Sequence, residues 1–309
     1  MAMLASSNAA TTVGILYCGE MGSAFGKLLR KGGLRVVTTC QGRSQTTLDG
    51  SRSSEIEILP TLNDVAAQSH VVFSFVLPAA AGEVAQQYAL CHSIRPKDSI
   101  FVEGNSIGLD TLEQIERLMA EHEIPLVDAA VNGMANRLED LGVLHVSGPR
   151  AGSIEAMCRG LMRVNDLGIR AGSASRMKLL MSGIAKGLPA LFLEVAALAE
   201  QADLLESFLK SCQLFYPAIM SVVERTLPTF PRHAGRRAGE VRDVENMARA
   251  LHAPAGMTHA AGEWIQLMST IPWDQVAMGS PVDIRAVIQT VAKACAPANQ
   301  PGPFSEVLK

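Results

Sequence analysis

Two patterns of apolar residues divide the chain. From Val13 to about Ile169, short runs rich in β-branched residues alternate with segments of helical periodicity, which is typical of βαβ units and a parallel sheet. From about Ser173 onward these runs disappear, and long segments carry an apolar residue at every third or fourth position. The pattern predicts an α/β domain over residues 1–171 and an all-helical domain over residues 172–309.

The individual elements follow from the same patterns. Seven strands are expected in the first domain, at residues 13–17, 35–39, 55–58, 71–76, 99–102, 126–131 and 143–147. Four helices are expected in the second domain, at residues 177–206, 208–224, 239–251 and 257–267. Pro189 should kink or interrupt the first of these helices, because proline cannot donate a backbone hydrogen bond.

Composition narrows the classes of protein that fit. The 309 residues are 48% hydrophobic and 18% charged, with a net charge of -3, which disfavours a disordered chain or a nucleic-acid partner. The apolar segments are expected to fall short of the ~18 residues of a membrane span, and no leader pattern is expected at the start. Six cysteines without CxxC spacing predict reduced thiols and a cytoplasmic protein, and the seven histidines show no spacing that predicts a metal site.

A glycine-bearing turn follows the first strand. Residues 13–22 read as an apolar strand, a turn and a helix that opens at Met21. In a Rossmann domain, the pyrophosphate of a dinucleotide rests here on free N–H groups at the helix N-terminus. Against the pattern GxGxxG the first glycine is replaced, so a plain turn without a ligand is the alternative. The predicted nucleotide loop comprises Tyr17, Gly19, Glu20, Met21 and Gly22.

The end of the second strand bears on the choice of cofactor. An NAD site usually has an acidic residue there for the ribose 2′-hydroxyl, whereas an arginine suits a 2′-phosphate. This chain has no acid at that point, and Arg43 and Ser44 can clamp a phosphate. The sequence therefore predicts NADP(H), with NAD(H) possible; the alternative is that Arg43 is a solvated loop residue.

Five segments, in order, resemble the β-hydroxyacid dehydrogenase and 6-phosphogluconate dehydrogenase superfamily. They are residues 19–22 (GEMG), 73–79 (FSFVLPA), 103–106 (EGNS), 128–133 (DAAVNG) and 172–178 (GSASRMK). The resemblance implies that Val76, Leu77 and Pro78 pass beside the nucleotide, that residues 103–106 lie near the nicotinamide, and that residues 128–133 bind substrate. It also implies that Lys178 is catalytic and that the protein is a homodimer.

The helical half resembles a branch of this superfamily whose C-terminal domain has no assigned function. The similarity lies in Lys186-Gly187 and in residues 233–240 (HAGRRAGE). Ala130 and Asn132 replace a proline and a serine of the relatives' substrate segment, and Met181 and Ser182 replace asparagines after the lysine. The substrates of better-known relatives are therefore not implied.

A lysine suits this chemistry because hydride transfer to a carbonyl leaves an alkoxide that needs a proton, and the reverse reaction needs a base. Desolvation lowers the pKa of a lysine toward working pH. The segment around Lys178 is apolar on nearly all sides, which predicts a buried helix. Ser182, one turn further, can orient the lysine, and Lys186, two turns further, can bind an anionic group of the substrate. The alternative is that both lysines are exposed helix residues.

Further candidates follow predicted strands, at the edge where ligands bind in open α/β sheets. Asn105 and Ser106 can contact the carboxamide or the substrate, or else cap the helix that opens near Leu109. Asn132 and Gly133 are in the same position relative to their strand. His233, Arg236 and Arg237 either face the cleft or form a solvated, charged face.

The leading hypothesis is an NADP(H)-dependent oxidoreductase that acts on a carbonyl or hydroxyl of a small polar metabolite, with Lys178 as general acid and base. A second is an imine reductase, which Lys178 disfavours because those enzymes usually carry aspartate or tyrosine near the catalytic position. A third is a catalytically silent protein that binds the nucleotide.

Overall fold

The computed structural model describes residues 11–275 and 282–295. These residues divide into two compact units after Lys178. The first unit is built on an eight-stranded sheet with helices between the strands. The second is helical.

The sheet contains the seven expected strands and one more. Its strands are β1 (Thr12–Leu16), β2 (Arg35–Thr39), β3 (Glu57–Leu59), β4 (Val71–Ser74), β5 (Ile100–Glu103), β6 (Leu126–Asn132), β7 (Val143–Ser147) and β8 (Arg163–Asp166). Their order is β3-β2-β1-β4-β5-β6-β7-β8. The first six strands have the order of a doubly wound dinucleotide-binding sheet, in which the order reverses between β1 and β4.

The sheet is mainly parallel, as predicted, with one antiparallel pair near its edge. β7 runs antiparallel to β6, and β8 runs parallel to β7. The βαβ rhythm did not reveal this pair. Only short 3₁₀ and α-helical turns separate β6 from β7, and such a short connection suits an antiparallel neighbour. β8 was not predicted because its sequence, RVND, is polar and largely exposed at the sheet edge.

Helices of the first unit cover both faces of this sheet. They are α1 (Glu20–Lys31), α2 (Gln45–Ser53), α3 (Leu62–Gln68), α4 (Ala81–Ala89), α5 (Leu109–Glu121), α6 (Leu138–Leu141) and α7 (Ala151–Cys158). One apolar cluster centres on Phe25, Phe73 and Phe75, whose rings are in contact. The other contains Tyr88 stacked on Phe101. The two clusters bury opposite faces of the central strands, as their uninterrupted apolar sequences predict.

The helical part begins with α8 (Ser173–Gln201), which starts in the first unit and continues into the second. It is followed by α9 (Leu205–Phe215), α10 (Pro217–Thr226), α11 (Phe230–Ala250), α12 (Gly256–Ser269) and α13 (Ile284–Cys295). The predicted helix at 208–224 is two helices, because Pro217 starts a new one at its first position. The predicted helix at 239–251 begins nine residues earlier, and α13 was not predicted at all.

Helix α8 differs from the expectations in two respects. It is continuous through Pro189, so of the two predicted effects of this proline an interruption does not occur. The stretch around Lys178 is also less buried than its apolar sequence predicts, since Leu180, Met181 and Ile184 are 53%, 51% and 70% exposed. Further along, Leu193 and Ala196 are fully buried in the core of the helical unit.

By length and composition alone, α8 is long and apolar enough to cross a membrane, contrary to the expectation that all apolar segments are too short. Its first turn is hydrogen-bonded to the sheet, and its second half packs into the helical core.

Candidate functional site

A cavity of about 480 Å³ lies in the first unit at the carboxyl ends of the central strands. Ten of the eleven residues predicted to bind cofactor line it: Tyr17, Gly19, Glu20, Met21, Gly22, Arg43, Ser44, Val76, Leu77 and Asn105. Pro78, the eleventh, starts the 3₁₀ turn that follows Leu77. Four further residues line the cavity and were not predicted: Gly42, Thr47, Phe75 and Ala80. Their closeness in sequence to predicted residues is the only feature that could have indicated them.

The turn after β1 depends on its second glycine. A Cβ on Gly22 would lie 2.3 Å from the carbonyl oxygen of Tyr17, so no other residue fits there without moving the backbone. Gly19 has open space where a Cβ would be, and α1 begins directly after it. The first N–H groups of a helix have no intrahelical acceptors. An anion bound in this cavity therefore meets the free N–H groups at the start of α1.

Arg43 is exposed, but it lies beside this turn and contacts Tyr17. Its guanidinium carbon is 4.1 Å from the centroid of the Tyr17 ring, a cation–π contact. Burial raises the pKa of Tyr17, and the neighbouring Arg43 opposes that rise. Ser44 caps α2 by accepting a hydrogen bond from the Thr47 N–H at 3.4 Å. One corner of the cavity thus combines a guanidinium, two hydroxyls and a helix start, which is a donor set for a phosphate.

Asn105 joins the loops after β4 and β5. Its Oδ1 accepts from the Val76 N–H at 2.5 Å, and its Nδ2 donates to Ser74 Oγ at 2.9 Å. The alternative that Asn105 or Ser106 caps the next helix is wrong, because Gly108 occupies the N-cap of α5 and no side chain caps it. An amide can make four hydrogen bonds, so Asn105 keeps one donor and one acceptor for a ligand.

Four buried polar side chains form a row across the sheet, and one of them, Glu103, lies two residues before Asn105. Ser74, Glu103, Asp128 and Ser147 are paired in register on β4, β5, β6 and β7, and each is at most 1% exposed. Polar groups this deeply buried are costly unless they are hydrogen-bonded. The row therefore indicates a function that an apolar core would not serve. In the sequence, only the positions of Ser74, Glu103 and Asp128 in three family-like segments were visible.

Glu103 is the one member of the row with an unused oxygen. Its Oε1 accepts from the Asn105 N–H at 2.9 Å, but within the described residues its Oε2 has no hydrogen-bond partner. Burial raises the pKa of Glu103 to about 7, and the charge of Asp128 adds to the rise. The group therefore titrates near neutrality, next to the residue predicted to contact the nicotinamide.

The titration of Glu103 makes stability depend on pH. Between pH 4.5 and about 7 the folded state keeps a proton that the unfolded chain has released, so the free energy of unfolding falls as the pH rises through this window. Glu103→Gln cannot ionise. The stability of the variant relative to wild type should therefore increase by about 3 kcal/mol between pH 4.5 and 8. Urea unfolding across this range measures it.

Glu116→Gln is the matched control for this experiment, because Glu116 is exposed on α5. Its stability relative to wild type should stay constant across the same range. A constant difference for Glu103→Gln as well would show that Glu103 does not titrate in this window.

Asp128 anchors the helix that carries Lys178. Asp128 Oδ2 accepts from Ser147 Oγ and from the Ser175 N–H, both at 3.0 Å, and its Oδ1 accepts from Ser175 Oγ at 2.6 Å. Ser147 Oγ in turn accepts from the Ala174 N–H at 3.0 Å. The start of α8 is thus fixed to β6 and β7, and Lys178 follows Ser175 by one turn. A buried carboxylate at a helix start is also favoured by the helix dipole.

Replacing Asp128 with asparagine should destabilise the protein by about 2 to 4 kcal/mol, because an amide nitrogen then faces N–H and O–H donors in a buried site. Urea unfolding measures the loss. Hydrogen exchange at Ala174 and Ser175 should accelerate more than exchange in the centre of the sheet. Asp140→Asn, at an exposed ion pair, is the control and should cost under about 1 kcal/mol. An equally small effect at Asp128 would contradict its anchoring role.

Asn132 and Gly133 lie at the end of β6, as predicted. Asn132 Nδ2 is 3.2 Å from His145 Nε2 on β7. Gly133 has a φ of +143°, and a Cβ there would meet the Cα of Gly142 at 3.0 Å, so the position requires glycine. The charge of Lys178 is close enough to His145 to help burial lower the pKa of that imidazole. The structure thus places Lys178 near the predicted substrate segment.

Two segments of the chain match families of known proteins. Residues 12–157 match the family described as the NAD binding domain of 6-phosphogluconate dehydrogenase. The first half of the chain is therefore similar to this family of NAD-binding domains. Residues 199–268 match a domain of unknown function, DUF1932. These matches confirm both the dehydrogenase-like first half and the functionally unassigned second half that the sequence predicts.

Individual relatives agree with this domain organisation. An uncharacterized 28.5 kDa protein of Methanothermus fervidus is 26% identical over 64% of this chain and 74% of its own length. A solved conserved protein of unknown function, described as similar to 3-hydroxyacid dehydrogenases, is 26% identical over 83% of this chain and 96% of its own, with a TM-score of 0.69.

Two solved enzymes share the fold at lower identity. Mycobacterium tuberculosis 3-hydroxyisobutyrate dehydrogenase with L-serine has a TM-score of 0.70 and 17% identity over 92% of this chain and 99% of its own. A reductive aminase from Aspergillus terreus in complex with NADPH has a TM-score of 0.55 and 16% identity over 91% and 99%. The chain therefore shares the fold of these two enzymes.

The remaining predicted site residues belong to the helical unit. Lys186 Nζ is 2.6 Å from both Ser182 Oγ and Glu240 Oε2, and Arg236 contacts the other oxygen of Glu240 at 2.8 Å. Burial acts to raise the pKa of Glu240, but its bonds to Lys186 and the nearby cations lower it overall. The ammonium of Lys186 is therefore already paired with a carboxylate.

The alternatives for the basic run in α11 are resolved in part. Arg236 is 67% exposed and belongs to this ion-pair cluster, whereas the guanidinium of Arg237 lies 4.2 Å from the centre of the Phe230 ring. In residues 11–275 and 282–295, no group of three histidine, cysteine or acidic side chains is arranged to hold a metal ion.

Proposed function

We propose that this protein is an NADP(H)-dependent oxidoreductase that transfers a hydride between the nicotinamide and a carbonyl or hydroxyl carbon of a small polar metabolite. The observation that carries the proposal is the cavity in which the glycine turn, the start of α1 and the Arg43–Ser44 corner meet. The similarity to an NAD-binding domain family supports a nicotinamide cofactor, and the Arg43–Ser44 corner favours the one with a 2′-phosphate.

The cofactor site is assigned by its donor set. The N–H groups at the start of α1 hold the pyrophosphate, and Gly19 allows close approach. Arg43 and Ser44 bind the 2′-phosphate. The remaining hydrogen-bond donor and acceptor of Asn105 orient the carboxamide of the nicotinamide. When bound, the nicotinamide supplies or accepts the hydride. Every other step falls to side chains of the protein.

Lys178 is proposed as the general acid and base. In reduction, the carbonyl carbon gains a hydride, and the ammonium of Lys178 gives its proton to the oxygen, so a hydroxyl forms. In oxidation, the neutral amine removes the hydroxyl proton as the hydride leaves. Positioned proton transfer of this kind contributes roughly 10²- to 10⁴-fold. Asp128 contributes by fixing the start of α8, one turn before Lys178.

Ser106, Asn132 and Gly133 are proposed to contact the substrate, and Ser182 to orient Lys178 or the substrate hydroxyl. A role for Lys186 in binding an anionic substrate requires the anion to compete with Glu240 for the ammonium. The scattered free cysteines fit a cytoplasmic location, which is proposed on that basis.

A screen of hydroxy acids, keto acids and cyclic imines with NADP(H) tests the proposal. Oxidation or reduction of a hydroxy or keto acid supports it. Turnover of imines alone assigns the imine reductase alternative. Tight NADPH binding with no turnover on any compound assigns the silent nucleotide-binding alternative.

The protein is further proposed to be a homodimer. An apolar face of α8 is exposed in the single chain: Leu180, Met181, Ile184, Leu191 and Leu198 are 47 to 70% accessible. Contiguous apolar surface of this kind marks interaction sites. Light scattering during gel filtration should give twice the 32.9 kDa mass. Ile184→Glu should shift it toward the monomer, and a monomeric wild type would contradict the proposal.

A further inference from the structure

His145 occupies an unusual position for a histidine. It lies on β7 and is only 7% exposed, and each of its two ring nitrogens has a polar neighbour. Nε2 is 3.2 Å from Asn132 Nδ2, and Nδ1 is 3.3 Å from Asn165 Nδ2 on β8. The imidazole thus bridges the predicted substrate segment and the sheet edge.

The surroundings of the His145 ring favour its neutral form. Burial lowers its pKa, and the charge of Lys178 lowers it further. Lys178 is the one charged group found to act on His145 among the described residues. A neutral imidazole has one donor and one acceptor nitrogen, so it must receive a hydrogen bond from one amide and give one to the other.

Both amides face the ring through Nδ2, so one of them must turn its oxygen toward a neutral ring, and the difference in burial between the two favours one choice. Asn132 is half-buried with its nitrogen facing Nε2, whereas Asn165 is exposed at the sheet edge, where its amide can turn its oxygen toward the ring. Nε2 is then the acceptor, and Nδ1 carries the proton. In the described part of the chain, no donor reaches Asn132 Oδ1, so that oxygen is available to a ligand.

We propose that His145 is a positioning residue whose imidazole fixes the amide of Asn132, so that Asn132 presents its carbonyl oxygen to the substrate. The substrate then carries a hydroxyl or amine donor, which Asn132 Oδ1 accepts, close to the group that Lys178 protonates. The substrate part of this inference rests on the proposed function, whereas the arrangement of the ring and amide does not.

The state of the ring is measured directly by NMR of the full-length protein labelled with ¹⁵N-histidine. The His145 signals are assigned as those lost in His145→Gln. The expected result is a neutral ring at pH 8 with a proton on Nδ1 and none on Nε2. Asn132→Leu should bring in the other tautomer, and Lys178→Met should raise the pKa of His145. The signals of exposed His92 serve as the control.

A ring protonated on Nε2, or a tautomer that Asn132→Leu leaves unchanged, would overturn the assignment. This result is independent of whether any substrate is known. A screen without turnover combined with the expected NMR spectrum would reject the proposed function and leave the arrangement intact.

Kinetics with a substrate from the screen test the functional half. His145→Phe should raise KM about tenfold with kcat changed less than about threefold, because one hydrogen bond to the substrate loses its orientation. His145→Gln, which can still bond the amide, should recover much of the loss, and NADPH affinity should be the same in all three proteins. His92→Gln is the matched control. Unchanged KM in His145→Phe would refute the positioning role.

Discussion

Lys178→Ala is expected to lower turnover by about 100-fold or more while the affinity for NADPH stays at the wild-type value. The side chain lies within the NAD-binding unit but beyond the residues that line the nucleotide cavity, so its removal leaves the cofactor contacts in place. What is lost is the proton transfer that accompanies hydride transfer. Steady-state rates and fluorescence titration of NADPH measure the two quantities on one preparation.

Lys178→Arg sharpens this experiment. Arginine keeps the positive charge and much of the length, but its guanidinium does not release a proton at working pH. A general acid and base predicts that both variants lose turnover, whereas a purely electrostatic role predicts that arginine restores it. Lys97→Ala, at an exposed position, is the control. Full activity in Lys178→Ala would reassign the proton transfer to another group.

Arg43→Ala is expected to weaken NADPH binding by about tenfold to 100-fold and to leave NADH binding within about twofold. A charge-assisted hydrogen bond to a phosphate is worth roughly 1.5 to 3 kcal/mol. NADH has no 2′-phosphate and makes no such bond, so its affinity should not depend on Arg43. Wild type should correspondingly bind NADPH at least about ten times more tightly than NADH. Titration of both cofactors against both proteins gives the four affinities.

The contact between Arg43 and Tyr17 provides a second explanation that the same data separate. If Arg43 acts only by holding the Tyr17 ring over the glycine turn, both cofactors should weaken equally in Arg43→Ala. Arg52→Ala, on the exposed face of α2, should change neither affinity. Equal losses for NADPH and NADH would remove the role assigned to Arg43 in selecting the cofactor.

The fold was largely predictable because its strands are buried on both faces. Continuous apolar runs located β1, β4 and β6, and the glycine turn marked the end of the first strand. β8 escaped because an exposed edge strand need not be apolar. The antiparallel turn between β6 and β7 escaped because apolar periodicity carries no information on strand direction.

The nucleotide cavity was predicted almost completely, since its residues are contiguous with recognisable turns. The buried row around Glu103 and Asp128 was not, because it depends on strand register, which brings residues 74, 103, 128 and 147 side by side. His145 escaped for the same reason. A lone histidine in a strand shows nothing in sequence of the two amides that meet its ring.

The exposure of α8 around Lys178 was not predicted, for a different reason. An apolar sequence predicts that a surface will be covered, but it does not distinguish the core of one chain from an interface between two chains. Leu193 is buried within the chain, whereas Ile184 is 70% exposed, and we propose that it lies in an interface between two chains.

The most direct test of the account is a crystal structure of the protein with NADPH bound. We expect that Arg43 contacts the 2′-phosphate and that Lys178 Nζ lies roughly 4 to 7 Å from C4 of the nicotinamide, which leaves room for one substrate carbonyl between them. A cofactor bound there with Lys178 turned away into solvent would contradict it.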